Sequence, residues 1–386
     1  MLPTFVGVVA CALVTLFAMS ALEPVLLAHA HEWPWMPSYD AWTASLAAGD
    51  PLATVLWLLG DVTDVCFLRS VPATVPLLGL SLLAAHLENV RSPHAGTGVE
   101  GNGRIYGRML LTAFASMLVA RLAYANQYAT GWAPTLVPFI VAQALVIHFE
   151  ATAATCVTAA VWAGLTSMPV AVWAYEYLAI PLGLPSFPAL AVGMISSYVL
   201  GTELFFRLPF TTRRRPAAPG EEPAVPVPTS PGRALVRRVL ADAPDLIFSG
   251  SDLGGIGLVV GLLLGWLANP NHGVYASGRT GLVLCCFVLV SALSIFAYWP
   301  TFKRDGYVYS LVGLLPVGSI ALAYDATPLV LIPTVVVSAL ACPALVFLLK
   351  SVTPRLSNRW PSAFYVQIVG VIVTLALSLY AKMLIP

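Results

Sequence analysis

Asp61-Val62-Thr63-Asp64 and Asp242-Ala243-Pro244-Asp245 stand 181 residues apart, and the landmarks that follow each of them keep step. Gly107-Arg108 pairs with Gly278-Arg279 at an offset of 171, and Glu150-Ala151-Thr152 with Asp325-Ala326-Thr327 at 175. Met168-Pro169 pairs with Cys342-Pro343 at 174, and Pro185-Ser186 with Pro361-Ser362 at 176. Such nearly constant spacing, with the slips falling in loops, predicts an internal duplication of the kind found in membrane transporters.

Composition sets the environment. Hydrophobic residues make up 59% of the 386 and charged residues 10%, with a mean hydropathy of +0.84. A soluble domain carries roughly 25% charged residues, so these apolar stretches must face lipid or one another. The expected fold is an all-α polytopic membrane protein of about eleven spans, each needing roughly 20 residues. A net charge of +1 gives no basic surface for nucleic acid. Cys11, Cys66, Cys156, Cys285, Cys286 and Cys342 lie in apolar runs without a Cys-x-x-Cys pair, and read as packing residues.

The chain divides into an N-terminal helix with an aromatic loop (1–50), a first repeat (51–211), a Pro/Ala/Glu-rich linker (212–232) and a second repeat (233–386). The run 3–27 lacks a basic leader and is long for a signal sequence, so it reads as a retained helix. Five spans are predicted at 71–88, 107–126, 132–149, 151–178 and 187–206, and five more at 254–269, 279–299, 308–324, 327–349 and 362–385. The aspartate-bearing stretches 51–67 and 233–248 read as not crossing. Basic residues favour the cytoplasmic side of a membrane. Arg213 to Arg215, Arg233, Arg237 and Arg238 place the linker there, and a non-crossing 233–248 then places Lys303, Arg304, Lys350, Arg355 and Arg359 there as well. The two five-helix units consequently run in opposite senses after one extra helix. The N-terminus and linker are expected in the cytoplasm of a bacterial-type inner membrane, and the C-terminus outside. Arg69, Arg279 and Lys382 fall on the far side of this scheme.

Ionisable groups at membrane depth are costly and commonly functional. Glu150 and Asp325 open matching short turns, and His148 beside Glu150 titrates near neutrality. They read either as helix N-caps or as coupling and gating carboxylates. Pro169 and Pro343 interrupt matching spans and would free backbone carbonyls for an ion. Arg121, late in its span, reads as a snorkelling residue or an anion contact. Asp61, Asp64, Asp242 and Asp245 have helical spacing. They read as interfacial caps meeting water or, alternatively, as ligands for a metal or a Mg²⁺-pyrophosphate. Glu203 is placed to pair with Arg207 one turn on. The pattern His29-x-His31-Glu32 is too sparse to indicate a metal site. No phosphate-binding loop or hydrolase motif is present, so neither a cofactor nor a resident metal is expected.

Four stretches resemble the PgsC/CapC family: Ile105-Tyr106-Gly107-Arg108, Gly250-Ser251-Asp252-Leu253 with Leu258 to Leu263, Leu136-Val137-Pro138, and Gly313-Leu314-Leu315-Pro316 through Asp325-Ala326-Thr327-Pro328. The chain is longer than that family, and carries Phe139 and Val317 where the family's Val-Pro-Gly motif has glycine. The resemblance implies a membrane subunit of poly-γ-glutamate capsule synthesis and export, working with partner subunits. The residues themselves point first to a transporter moving a small solute or ion by alternating access. A membrane enzyme using the Asp-x-x-Asp pairs on a lipid-linked substrate is the further alternative.

Overall fold

The computed structural model describes residues 1–92, 94–97, 103–214, 230–324, 327–360 and 362–384. Most of the linker and Asp325 lie outside them. The helices of the first part are α1 (Leu2–Ala28), α2 (Tyr39–Ala47), α3 (Pro51–Asp64), α4 (Val71–Asn89), α5 (Gly103–Ala123), α6 (Ala125–Tyr128), α7 (Leu136–His148), α8 (Ala153–Ala174) and α9 (Ser186–Phe205). Those of the second are α10 (Pro231–Asp245), α11 (Asp252–Ala268), α12 (Thr280–Ala297), α13 (Trp299–Asp305), α14 (Leu314–Ala323), α15 (Pro328–Val352), α16 (Pro354–Arg359) and α17 (Ser362–Leu384). Eight helical segments are long and apolar enough to cross a membrane: α1, α4, α5, α8 with the π-turn that extends it to Ala179, α9, α12, α15 and α17. The segments Leu136–His148, Asp252–Ala268 and Ser310–Ala323 are shorter and equally apolar. The molecule is thus an all-helical, multi-pass membrane protein.

Local chemistry marks the helix starts. Asp50 caps α3 by accepting from the Leu52 amide at 2.9 Å, with Pro51 at the first position. Ser70 and Ser251 cap α4 and α11 in the same way, accepting from Ala73 and Gly254. Each side-chain oxygen satisfies an amide that has no partner within its own helix.

Contacts between loops sort them into two ends. At one end Thr97 meets Gly250 and Asp252, the Glu150 amide donates to the Thr212 carbonyl at 2.8 Å, and Arg359 pairs with Glu203. At the other, the Tyr39 amide donates to Asn271 at 2.8 Å, the Val274 amide to Leu68 at 2.7 Å, and Lys382 to Leu182. The second group joins the segment after α1 to the α3–α4 and α11–α12 loops.

The central contact is α4 against α11, running antiparallel. Gly257, Gly261 and Gly265 line one stripe of α11 at four-residue spacing and face Pro72, Ala73 and Pro76 of α4. A methyl at Gly261 would lie 2.6 Å from the Pro76 ring and 2.8 Å from the Ala73 Cα. Lipid supplies little force between apolar helices, so small residues that let backbones approach are what hold them together.

The helices α8 and α15 continue without a break across Pro169 and Pro343. Proline lacks the amide that would bond four residues back, releasing the carbonyls of Leu165 and Ala339. Tyr124 donates its hydroxyl to Leu165, and Ser294 donates to Ala339 at 2.9 Å. Neighbouring helices therefore take up both carbonyls, which the sequence reading had offered to an ion.

Candidate functional site

The four repeated aspartates are not interfacial caps; they are buried, Asp61 and Asp242 completely. Each pair closes on one arginine. Arg69 reaches Asp61 at 2.7 Å and Asp64 at 2.5 Å. Arg238 reaches Asp242 at 2.8 Å and Asp245 at 2.6 Å. Hydroxyls complete both shells: Thr135 donates to Asp61 and Tyr275 to Asp64, while Ser310 donates to Asp242 at 2.8 Å and Tyr307 to Asp245 at 3.0 Å. Thr135 directly precedes α7, and Ser310 opens the turn that leads into α14.

The arginines come from different places in the chain. Arg238 stands four residues before Asp242 on α10, whereas Trp57 holds the corresponding place before Asp61. Arg69 stands five residues after Asp64, whereas Gly250 holds that place after Asp245. Trp57 instead stacks its ring against the Arg69 guanidinium, 3.6 Å from ring centre to Cζ. Each guanidinium occupies the position between two carboxylates that a divalent cation would need. The pairs therefore do not fit a Mg²⁺-pyrophosphate, and no group of three or more metal-ligating side chains occurs among the described residues. Each cluster nevertheless holds two carboxylates against one cation, an excess of one negative charge at full ionisation. A buried unpaired charge is costly, so each cluster is suited to a proton or an incoming cationic group.

The clusters differ in their cover. Over the first lie Tyr39, Trp42, Trp57 and Tyr275, with the Trp42 ring stacked on His272 at 5.1 Å. Arg69 is fully buried beneath them. The second cluster opens into a cavity of about 360 Å³ lined by Arg238, Asp245, Tyr307, Tyr309, Phe248 and Gln367, among others. Thr97, at the end of the molecule that holds the linker, lines it too.

The other residues singled out by sequence fall elsewhere. Glu150 is exposed. His148 is partly buried with its Nε2 unpartnered, and its carbonyl accepts from the Arg214 amide at 3.1 Å. The Arg121 guanidinium covers the Tyr128 ring at 4.5 Å. Glu203 pairs with Arg359 at 2.6 Å rather than with Arg207, because α16 folds back over the end of α9. Arg69 escaped the sequence reading as a site residue, having counted only as a misplaced loop charge. Its signal is spacing, an arginine five residues beyond a buried aspartate pair.

These features define a multi-pass membrane protein with two buried carboxylate–arginine clusters, one of them open to a cavity. No protein-family model matches the chain, and no curated protein matches it significantly.

Proposed function

We propose that the chain is a transporter that moves a small solute or ion by alternating access between two halves of opposite topology, 51–211 and 233–386. The observation that carries this reading is the unequal cover of two like clusters, one roofed by aromatic rings and one open to a cavity at the opposite end. A protein built from inverted halves and caught in one of its two states has this asymmetry.

Supporting the duplication, equivalent groups make equivalent bonds. Arg108 donates to the Ala151 carbonyl at the α7–α8 turn, and Arg279 to the Ala321 and Tyr324 carbonyls at the α14–α15 turn. Supporting the orientation, the far-end basic residues are all engaged: Arg69 and Arg279 as above, Arg121 on Tyr128, and Lys382 on the Leu182 carbonyl. The remaining described Lys and Arg residues belong to the linker end, which the positive-inside rule assigns to the cytoplasm. The coupling groups are Asp61 and Asp242 with their partners, in preference to the exposed Glu150. The engaged carboxylates favour transport over chemistry on a lipid-linked pyrophosphate.

Single cysteines at Ser230, Asp305 and Glu32 in a cysteine-free background test the topology. A membrane-impermeant maleimide applied to intact cells should label Glu32→Cys alone. Labelling of Asp305→Cys from outside overturns the inverted arrangement. Alternation is tested on a chain whose only native cysteine is Cys66, buried at the turn that follows α3. Slow modification from outside, stopped by a Tyr39→Cys/Asn271→Cys disulfide, is expected; a Cys66 that never reacts from outside removes the alternating-access reading.

A further inference from the structure

Polar groups at the cavity mark it as a ligand site. Gln367 lies on the buried face of α17, 5% exposed, and its Oε1 has no hydrogen-bond partner. It lines the cavity together with Asp245. A buried carbonyl oxygen without a donor is uncommon in a folded protein, and this one faces space large enough for a ligand. The adjoining cluster carries two carboxylates against the single Arg238, and Asp242 Oδ2 is also unpartnered. This part of the cavity thus offers acceptors and negative charge, and calls for a cationic donor.

A cation stands behind two other lining residues, Tyr309 and Ser362. Lys350 donates to the Tyr309 hydroxyl and to Ser362 Oγ at 3.0 Å, both cavity-lining residues. Its ammonium lies 4.6 Å from the centre of the Tyr309 ring. It enters none of the ion pairs among the described residues. The walls of the cavity also include the apolar Ile140, Phe248 and Val366.

We propose that this cavity binds a small amphipathic zwitterion, its ammonium held by Asp245 and the Gln367 Oε1 and its carboxylate toward Lys350. An ammonium group supplies the missing donors and offsets the excess carboxylate. A carboxylate there supplies the counter-charge that Lys350 lacks. A purely cationic solute would meet Lys350 without that compensation, and a purely anionic one would meet the carboxylates. The volume suits a solute of roughly a dozen or more non-hydrogen atoms, with an apolar body against Phe248 and Val366.

This inference rests on reading the cavity as the solute site of the proposed transporter. Its test uses the purified full chain in detergent, where no transport occurs. L-phenylalanine, phenethylamine and 3-phenylpropionate share a phenylethyl body; phenethylamine lacks the carboxylate and 3-phenylpropionate lacks the ammonium. Titration calorimetry should show phenylalanine binding at least tenfold more tightly than either analogue. Gln367→Leu and Lys350→Met should each weaken it tenfold or more, with Lys350→Arg retaining most of the affinity. Gln367→Leu removes an unsatisfied amide, so its unfolding temperature should not fall, which separates lost binding from lost fold. Equal binding of a one-charge analogue, no binding of phenylalanine, or full affinity in Gln367→Leu overturns the proposal. Selective binding without vesicle uptake fails the transport reading alone. Uptake by a protein that does not prefer the zwitterion fails this inference alone.

Discussion

The Cys66 thiol donates to the Ala243 carbonyl at 3.1 Å, joining positions 177 residues apart. The turn that ends α3 therefore touches the last turn of α10. Both helices are short, 14 and 15 residues, and each is followed by a tight return into a long apolar helix. Two aspartate pairs are thereby carried to the interior from opposite ends, each with its own arginine.

Removing one guanidinium should be severe. Arg238→Leu leaves Asp242 and Asp245 buried without a cation and should cost about 3–5 kcal/mol, as breakage of a buried ion pair does. Thermal unfolding in detergent reads the loss. Replacing both aspartates by leucine as well should recover most of it, because an apolar cluster carries no desolvation penalty. If the triple variant is as unstable as the single one, charge is not the cause.

Along the α4–α11 seam, Gly261→Ala places a methyl within 2.6 Å of Pro76. Overpacking of this size typically costs about 1–3 kcal/mol. Gly79→Ala meets nothing within 4 Å and should leave the unfolding temperature unchanged or slightly raised. Equal effects at the two positions would contradict the close approach of these helices.

His272 should make the aromatic roof sensitive to acid. It lies in the loop between α11 and α12, where burial pushes its imidazole down to about 4. Its Nδ1 donates to the Pro37 carbonyl at 2.7 Å, and its Nε2 accepts from the Val71 amide at 3.3 Å. Only the neutral ring satisfies both. The unfolded state binds the proton more readily, so stability is full above the ordinary value near 6.5 and falls as pH drops from there toward 4. Amide protection factors in 36–42, corrected for the intrinsic exchange rate at each pH, should fall over that window in the native chain and stay level in His272→Gln.

Ser294→Ala should strand the Ala339 carbonyl that Pro343 releases, at about 1–3 kcal/mol for an unsatisfied buried acceptor. Adding Pro343→Ala restores an amide within α15 and should return most of the stability. A double variant no better than Ser294→Ala would show that the hydroxyl does not act through that carbonyl.

In reconstituted vesicles, Asp61→Asn and Asp242→Asn should each reduce solute uptake at least tenfold. Glu150→Gln should change it less than twofold, since that side chain is exposed. The reverse pattern would return the coupling role to the α7–α8 turn.

The helices were legible in the sequence because lipid imposes one demand on every span, a long apolar run. Eight of the expected spans coincide with helices long and apolar enough to cross a membrane, and the other three with shorter apolar helices. The site was harder to read. The second aspartate pair has Arg237 and Arg238 beside it, and charges so close together resemble a solvated helix face. Only the fold reveals that Arg238 turns inward while Arg237 reaches Asp252. Arg69 was hidden for a different reason: its aspartates lie on a helix and it lies beyond the turn, so no helical periodicity links them. The glycine stripe at 257, 261 and 265 was present in the sequence, and its four-residue spacing could have pointed to the α4–α11 seam. The aromatic roof needs contacts across more than 200 residues, such as His272 with Pro37, which no local pattern encodes.

Each aspartate pair finds its arginine within its own half of the chain, Arg69 in the first and Arg238 in the second. That matters while the protein is being made. When the ribosome has finished residues 51–211, Asp61 and Asp64 already share the Arg69 guanidinium, and only the Tyr275 hydroxyl of their shell is still to be made. The first stretch can therefore enter the membrane with its aspartates already paired, while the α4 face and the aromatic roof wait for α11 and the loop that follows it.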